Sequence, residues 1–170
     1  GLTSADWPNG FGARAVTAGM DLDEFDHESH MAEAIDCARE AAERGDNPFG
    51  SVLVKDDEVV MRATNRVVTE DDLRAHPELT LAKRAAAERD DADKLVMYTS
   101  TEPCPMCSGG IDIAGLRAVV YSVSGERAAE IHGSDPLLSS TAVFDGGRSG
   151  VRVIPDVLKE EGEKVHQAHR

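Results

Sequence analysis

Two short stretches, His76-Pro-Glu78 and Pro103-Cys-Pro-Met-Cys107, constrain this chain more than anything else in it. Each follows an apolar run or turn that leads out of a strand pattern, and each opens a helical pattern. Cys104 and Cys107 at a helix start place two thiolates about one turn apart, where the helix dipole and free backbone N–H groups stabilise negative charge. With His76 as a third ligand, a tetrahedral metal keeps one position open, and an open position separates a catalytic zinc from a closed structural one. Glu78, two residues past the histidine, can lie beside that position without ligating and take a proton from water there. Taken singly the motifs say less: Cys-x-x-Cys reads equally as a redox pair or a structural zinc site. Prolines on both sides of Cys104 and the upstream His-x-Glu are not explained by a redox pair.

The rest of the chain supplies elements to carry these motifs. Met31, Ala34, Ile35, Ala38, Ala41 and Ala42 recur at helical spacing and predict a helix over 28–44, ended by Gly45. Ser51–Val54 and Val59–Met61, separated by Lys55-Asp-Asp-Glu58, predict a hairpin. A helix over 77–90, a strand Leu95–Tyr98, a helix over 105–114 and a strand over 116–123 follow. Residues 133–150, with Gly133, Pro136, Gly146, Gly147 and Gly150, read as loop, before a strand Val151–Ile154 and a helix over 156–168. Strands separated by helices imply an α/β fold, its mostly parallel sheet covered on both faces and begun by an antiparallel hairpin. Residues 1–19 show no period and read as a flexible arm or a cloning remnant, with Met20 the candidate native start and 20–170 a single domain.

Composition narrows the class. At 170 residues with 41% hydrophobic and 29% charged residues, the chain can bury a core without disulfide help. No apolar run approaches the ~18 residues of a membrane span, and no basic-then-apolar leader is visible. Three cysteines, two of them in one motif, argue against a disulfide scaffold and for a reducing compartment, the cytoplasm. The 32 acidic against 18 basic residues give a net charge of -14, which repels phosphate backbones and anionic membranes and argues against a nucleic-acid partner. The plain explanation of that charge is solubility in high salt, a halophilic trait. Cys37 falls on the apolar side of the first helix and reads as buried and inert. His27, His30, His132, His166 and His169 are scattered singly and read as surface residues without a site role.

Asn47-Pro-Phe-Gly-Ser-Val-Leu-Val54, Asn65-Arg-Val67, Ala75-His-Pro-Glu78 and Thr101-Glu-Pro-Cys-Pro-Met-Cys107 together resemble the zinc-dependent cytidine deaminase superfamily. The similarity runs over about residues 28–123 and is greatest to the branch of bacterial guanine deaminases and tRNA adenosine deaminases. It implies a three-layer α/β/α sandwich around a mixed, mostly parallel five-stranded sheet. It implies Zn2+ held by His76, Cys104 and Cys107, with Glu78 shuttling protons. It also implies Asn65 hydrogen-bonding the substrate base, Phe49 stacking on it, and a homodimer with a neighbouring chain near the pocket. The residue types suit these roles: an aromatic face fits a planar heterocycle, and an amide offers both donor and acceptor. Phe49 reads otherwise as core packing and Asn65 as a turn residue at a strand end. Glu102 stands either as a second proton carrier near the leaving amine or as a brace for the metal loop.

Two departures touch substrate choice. Relatives usually carry Ala between the His and the Glu; Pro77 here has no N–H, and in many relatives that amide donates to the substrate. Thr69-Glu-Asp-Asp-Leu-Arg-Ala75 lacks the usual Asp-Pro-Thr pattern, and the chain from Gly125 onward, which closes over the pocket in relatives, matches nothing transferable. The resemblance thus leads to the expectation of a hydrolytic deaminase of an aminated nucleobase or nucleoside, releasing ammonia in purine metabolism, with a guanine-like purine first. Cytosine or cytidine comes next and adenosine in tRNA third, for want of a basic footprint. A zinc-stabilised binding module without turnover is the alternative of a different class, and Glu78 speaks against it.

Overall fold

A computed structural model describes residues 19–170, so the arm expected over 1–19 lies, except for Gly19, outside the described residues. After a 3-10 turn at Leu22–Glu24, Asp26 caps helix α1 (His27–Arg44) by accepting a hydrogen bond from the Ser29 N–H. Gly45 ends α1 at a φ of 97°, a left-handed conformation that a Cβ would strain. Strands β1 (Gly50–Lys55) and β2 (Glu58–Thr64) form the expected hairpin, turned by Asp56 and Asp57 at positive φ. There follow α2 (Val67–Glu70), α3 (Pro77–Glu88), β3 (Val96–Thr101), α4 (Pro105–Ala114), β4 (Ala118–Val123), α5 (Gly125–His132), α6 (Ser140–Asp145), β5 (Arg152–Ile154) and α7 (Lys159–Ala168).

The five strands lie in the order β2-β1-β3-β4-β5. β1 pairs antiparallel with both its neighbours, and β3, β4 and β5 pair parallel, so β1 alone opposes a common strand direction. Alternation along the strands divides the core between two faces. Val52, Val54, Tyr98 and Val120 pack with Met31 and Ile35 of α1 and Val165 of α7. Leu53, Met97 and Val119 pack with Leu81 of α3, Ile111 of α4 and Phe144 of α6. Helices thus cover both faces of a mixed sheet, the three layers that the resemblance implied. Each large apolar side chain buried in this way contributes about 1.5–3 kcal/mol.

α7 lies against β4 at Gly162, where an added Cβ would run into Ser122 Oγ and Val123 Cγ2. Glycine inside a helix costs ~1 kcal/mol relative to alanine; here its missing side chain lets the helix backbone close on the strand. Ser122 Oγ uses that closeness to donate to the Leu158 carbonyl at 2.8 Å.

The structure changes three expectations. The stretch 133–150 holds a helix, α6, whose start is capped by Ser139 accepting from the Ala142 N–H and which buries Phe144. Six helical residues are too few to show a hydrophobic period among so many glycines. The last helix begins at Lys159 because Asp156 and Leu158 both take positive φ. His30 and His166 are buried, at 7% and 1% exposure, rather than on the surface. A partner makes each burial tolerable: His30 Nε2 lies 2.7 Å from Asp57 Oδ1, and the partners of His166 belong to the site below. Among the described residues, no helix is long and apolar enough to cross a membrane.

Candidate active site

The carboxyl ends of β3 and β4 and the start of β1 meet at one end of the sheet, the end at which parallel α/β sheets present their ligands. A cavity of about 590 Å³ opens there, with Phe49, His76, Glu78, Cys104 and His166 in its wall.

Two helix starts build its polar side. His76 occupies the N-cap of α3 and Cys104 that of α4, and a proline follows each at the first helical position, where a missing N–H costs nothing. Cys107 comes one turn into α4. The ligand atoms of His76, Cys104 and Cys107 all lie within 4.8 Å of one another. His76 Nδ1 is 3.7 Å from Cys104 Sγ and 3.5 Å from Cys107 Sγ. Tetrahedral zinc bonds of ~2.3 Å to sulfur and ~2.0–2.1 Å to nitrogen require N···S separations of about 3.5 Å, so the donor set fits that metal. The Cys107 hydrogen bond, aided by His76, holds the Cys104 thiol down at about 4, while the same bond and burial push Cys107 up. The surroundings of Cys104 thus favour a thiolate, the charge a cation needs.

Glu78 sits at the second helical position of α3, 5% exposed. Burial pushes its carboxyl above the usual range. Ser51 Oγ of β1 and Thr99 Oγ1 of β3 lie 3.2 and 3.1 Å from Glu78 Oε1 and 2.8 Å from each other. These two hydroxyls fix the carboxylate, and motif reading missed both. Ser51 stood inside the quoted Asn47–Val54 stretch, but nothing marked it as polar support rather than strand filler.

Phe49 lies in the cavity wall, and Asn65 is tied to it through the backbone, the Asn65 N–H donating to the Phe49 carbonyl at 3.0 Å. Asn65 is fully buried. Its Oδ1 accepts from the Val67 N–H at 3.0 Å, while its Nδ2 is a buried side-chain donor that finds no partner among the described residues. An unpartnered buried amide is rare enough to point to a ligand. Behind it, Arg44 donates to the Asn65 carbonyl at 2.8 Å and to Asp46 at 2.7 Å. Burial alone would raise the Asp46 carboxyl, but hydrogen bonds from Thr69 and Arg44 outweigh it and hold the group at about 2.

Glu102 lines the cavity with both oxygens engaged. Oε1 accepts from the Gly125 N–H at 2.9 Å, and Oε2 accepts from the Ser140 N–H and hydroxyl at 2.9 and 2.6 Å. It ties the starts of α5 and α6 to the metal loop, the contacts that a brace would make. Sequence reading set His132 and His166 aside; the structure puts both in the cavity wall. His166 Nε2 is 2.7 Å from Thr101 Oγ1, its Nδ1 is 2.8 Å from His132 Nε2, and its ring meets Phe49 edge-on at 5.7 Å. These contacts join residues far apart in the chain, and no local pattern announces them.

Known proteins resemble the chain in the same places. The profile of the cytidine and deoxycytidylate deaminase zinc-binding region matches residues 25–123. A probable cytosine deaminase of Schizosaccharomyces pombe is 36% identical over 145 residues, covering 82% of this chain and 89% of the relative. The guanine deaminase of Bacillus subtilis is 38% identical over 112 residues, 62% of this chain and 70% of that one. The solved guanine deaminase of Nitrosomonas europaea has a TM-score of 0.74, covering 91% of this chain and 96% of its own at 20% identity, a likeness of fold. With the profile spanning more than half of the sequence and His76, Cys104 and Cys107 all lying inside it, the chain belongs to the cytidine and deoxycytidylate deaminase zinc-binding family.

Proposed function

We propose that this protein deaminates a guanine-like purine by hydrolysis, with His76, Cys104 and Cys107 holding zinc and Glu78 moving the proton. The observation that carries the reading is Glu78, buried beside the His/Cys/Cys group with Oε1 held by two hydroxyls. Zinc, when bound there, supplies the Lewis acidity that brings the ionisation of water from 15.7 to ~7. Glu78 accepts a proton at its carboxylate and returns it to the departing amine; burial, which raises its pKa, favours its taking the proton up. Phe49 presents an aromatic surface to the ring, and the Asn65 amide donates to it. Glu102 holds the cavity roof in place. The similarity to the Bacillus subtilis guanine deaminase and the aromatic wall favour a two-ring substrate.

Cytosine is the second reading, favoured by the Schizosaccharomyces pombe relative, which the chain matches over 89% of its length. The same proposal places 20–170 as one catalytic domain, acting as a homodimer on a small molecule in a reducing, salt-rich cytoplasm. Three free cysteines and a net charge of -14 support that setting. Ammonia release by zinc-loaded protein from guanine, guanosine, cytosine, cytidine and adenosine, at low and high salt, tests it. Guanine or guanosine is expected to react first; a clear hit on cytosine alone selects the second reading, and zinc-loaded protein inert to all five overturns both.

A further inference from the structure

His166 is the most deeply buried ionisable group of the cavity wall that the proposed chemistry leaves unused, at 1% exposure. It arrives from α7, outside every motif, and its two ring nitrogens are both taken: Nε2 by Thr101 Oγ1 and Nδ1 by His132 Nε2. His132, at the end of α5, is exposed and lines the same cavity. Burial, with His132 alongside, lowers His166 to about 4, so the ring is neutral in use and carries a single N–H.

That single proton makes the row directional. If His166 donates through Nδ1 to His132, Thr101 must donate to Nε2, and His132, accepting at Nε2, carries its proton on Nδ1. If His132 donates through Nε2, His166 donates to Thr101, whose own hydroxyl proton must then turn to another acceptor. The first arrangement is favoured, because the buried Thr101 hydroxyl finds no acceptor other than His166 among the described residues. It leaves His132 with an Nδ1–H, a donor suited to the ring carbonyl of an uncharged heterocycle.

We propose that Thr101, His166 and His132 form a specificity wall that reads the carbonyl-bearing edge of the heterocycle, away from the amine that leaves. His132 makes the contact; His166 is a positioning residue that sets its tautomer and, through the edge-on contact at 5.7 Å, the tilt of the Phe49 ring. The inference rests on the deaminase reading and adds which face of the substrate is recognised.

The test compares substrate pairs that differ only in that carbonyl: guanine against 2-aminopurine, and cytosine against 4-aminopyrimidine. Wild-type protein is expected to prefer the carbonyl-bearing member in kcat/KM. In His132→Ala, with melting temperature and zinc content measured on the same sample, that preference is expected to shrink about tenfold, chiefly through KM. His166→Leu, which keeps the bulk against Phe49, is expected to lose it as well. A preference unchanged in His132→Ala overturns the wall while leaving the deaminase reading in place. Wild-type protein that turns over no member of either pair, and gains no thermal stability from any of them, overturns both.

Discussion

Thr99 Oγ1 stands 3.1 Å from Glu78 Oε1, so a strand at the centre of the sheet steadies a carboxylate on the first turn of a helix. Thr99→Val keeps the shape of the side chain and removes that hydroxyl. It is expected to lower kcat about tenfold with zinc content unchanged, because Glu78 is left with Ser51 alone. Glu78→Gln is expected to lower kcat by at least about a thousandfold, again with full zinc. Steady-state ammonia release with metal analysis of the same samples checks both. Glu78→Gln at wild-type speed would show that the proton moves elsewhere.

Cys104→Ala removes the ligand that ionises first. Loss of bound zinc and a fall of several degrees in the melting temperature are expected, since metal affinity and folding are coupled. A chelator should lower the melting temperature of wild-type protein towards that of the variant and leave the variant unmoved. A full zinc complement in Cys104→Ala would remove Cys104 from the ligand set.

Asn65→Asp separates two jobs of one side chain. The carboxylate still accepts from the Val67 N–H, so the turn persists, while the unpartnered NH2 is gone. On the order of 10–100-fold is expected to be lost from kcat/KM, the range of one buried hydrogen bond to a ligand, with a lowered melting temperature because the carboxyl is fully buried. Unchanged kinetics would mean that the amide meets no substrate.

Glu102→Gln distinguishes a brace from a proton carrier. The amide must turn its NH2 towards an N–H donor at Gly125 or Ser140, which leaves a clash of donors. Stability is expected to fall by about 1–3 kcal/mol and KM to rise. A fall in kcat at unchanged stability would instead mark a carboxyl that passes protons.

The buried imidazole of His166 makes stability depend on pH. Its folded value, about 4, lies below the ordinary 6.5, so the stability it contributes is complete above 6.5 and is lost as pH falls towards 4, where the unfolded chain binds the extra proton. Denaturant unfolding at pH 6.5 and pH 5 is expected to differ by on the order of 2 kcal/mol in wild-type protein. His166→Leu should remove most of that difference; an equal difference in the variant would trace it to other groups.

What could be read from the sequence was what is local. His76, Cys104 and Cys107 announce themselves because each sits at or within one turn of a helix start, and the prolines after His76 and Cys104 mark those starts. The hairpin, helices α1, α3, α4 and α7 and the strands followed from hydrophobic period, which the split of Val52 and Leu53 between the two faces obeys. Phe49 and Asn65 needed a resemblance to be noticed, since an isolated Phe or Asn has too many ordinary uses. Thr101 and His166 stand 65 positions apart and His132 and His166 stand 34 apart, distances over which no spacing rule operates. Glu102 was ambiguous for the same reason: its partners Gly125 and Ser140 lie in segments whose helices were too short to foresee.

Gly162 touches nothing in the cavity, yet its missing methyl meters how near α7 lies to β4, and His166 rides one turn further along that helix. The breadth of the chamber is thus governed by a spacer behind the wall. A lineage moving between one-ring and two-ring compounds has a route that leaves every lining residue in place: re-shim the last helix by the thickness of a single methyl group, and the gauge of the opening changes with it.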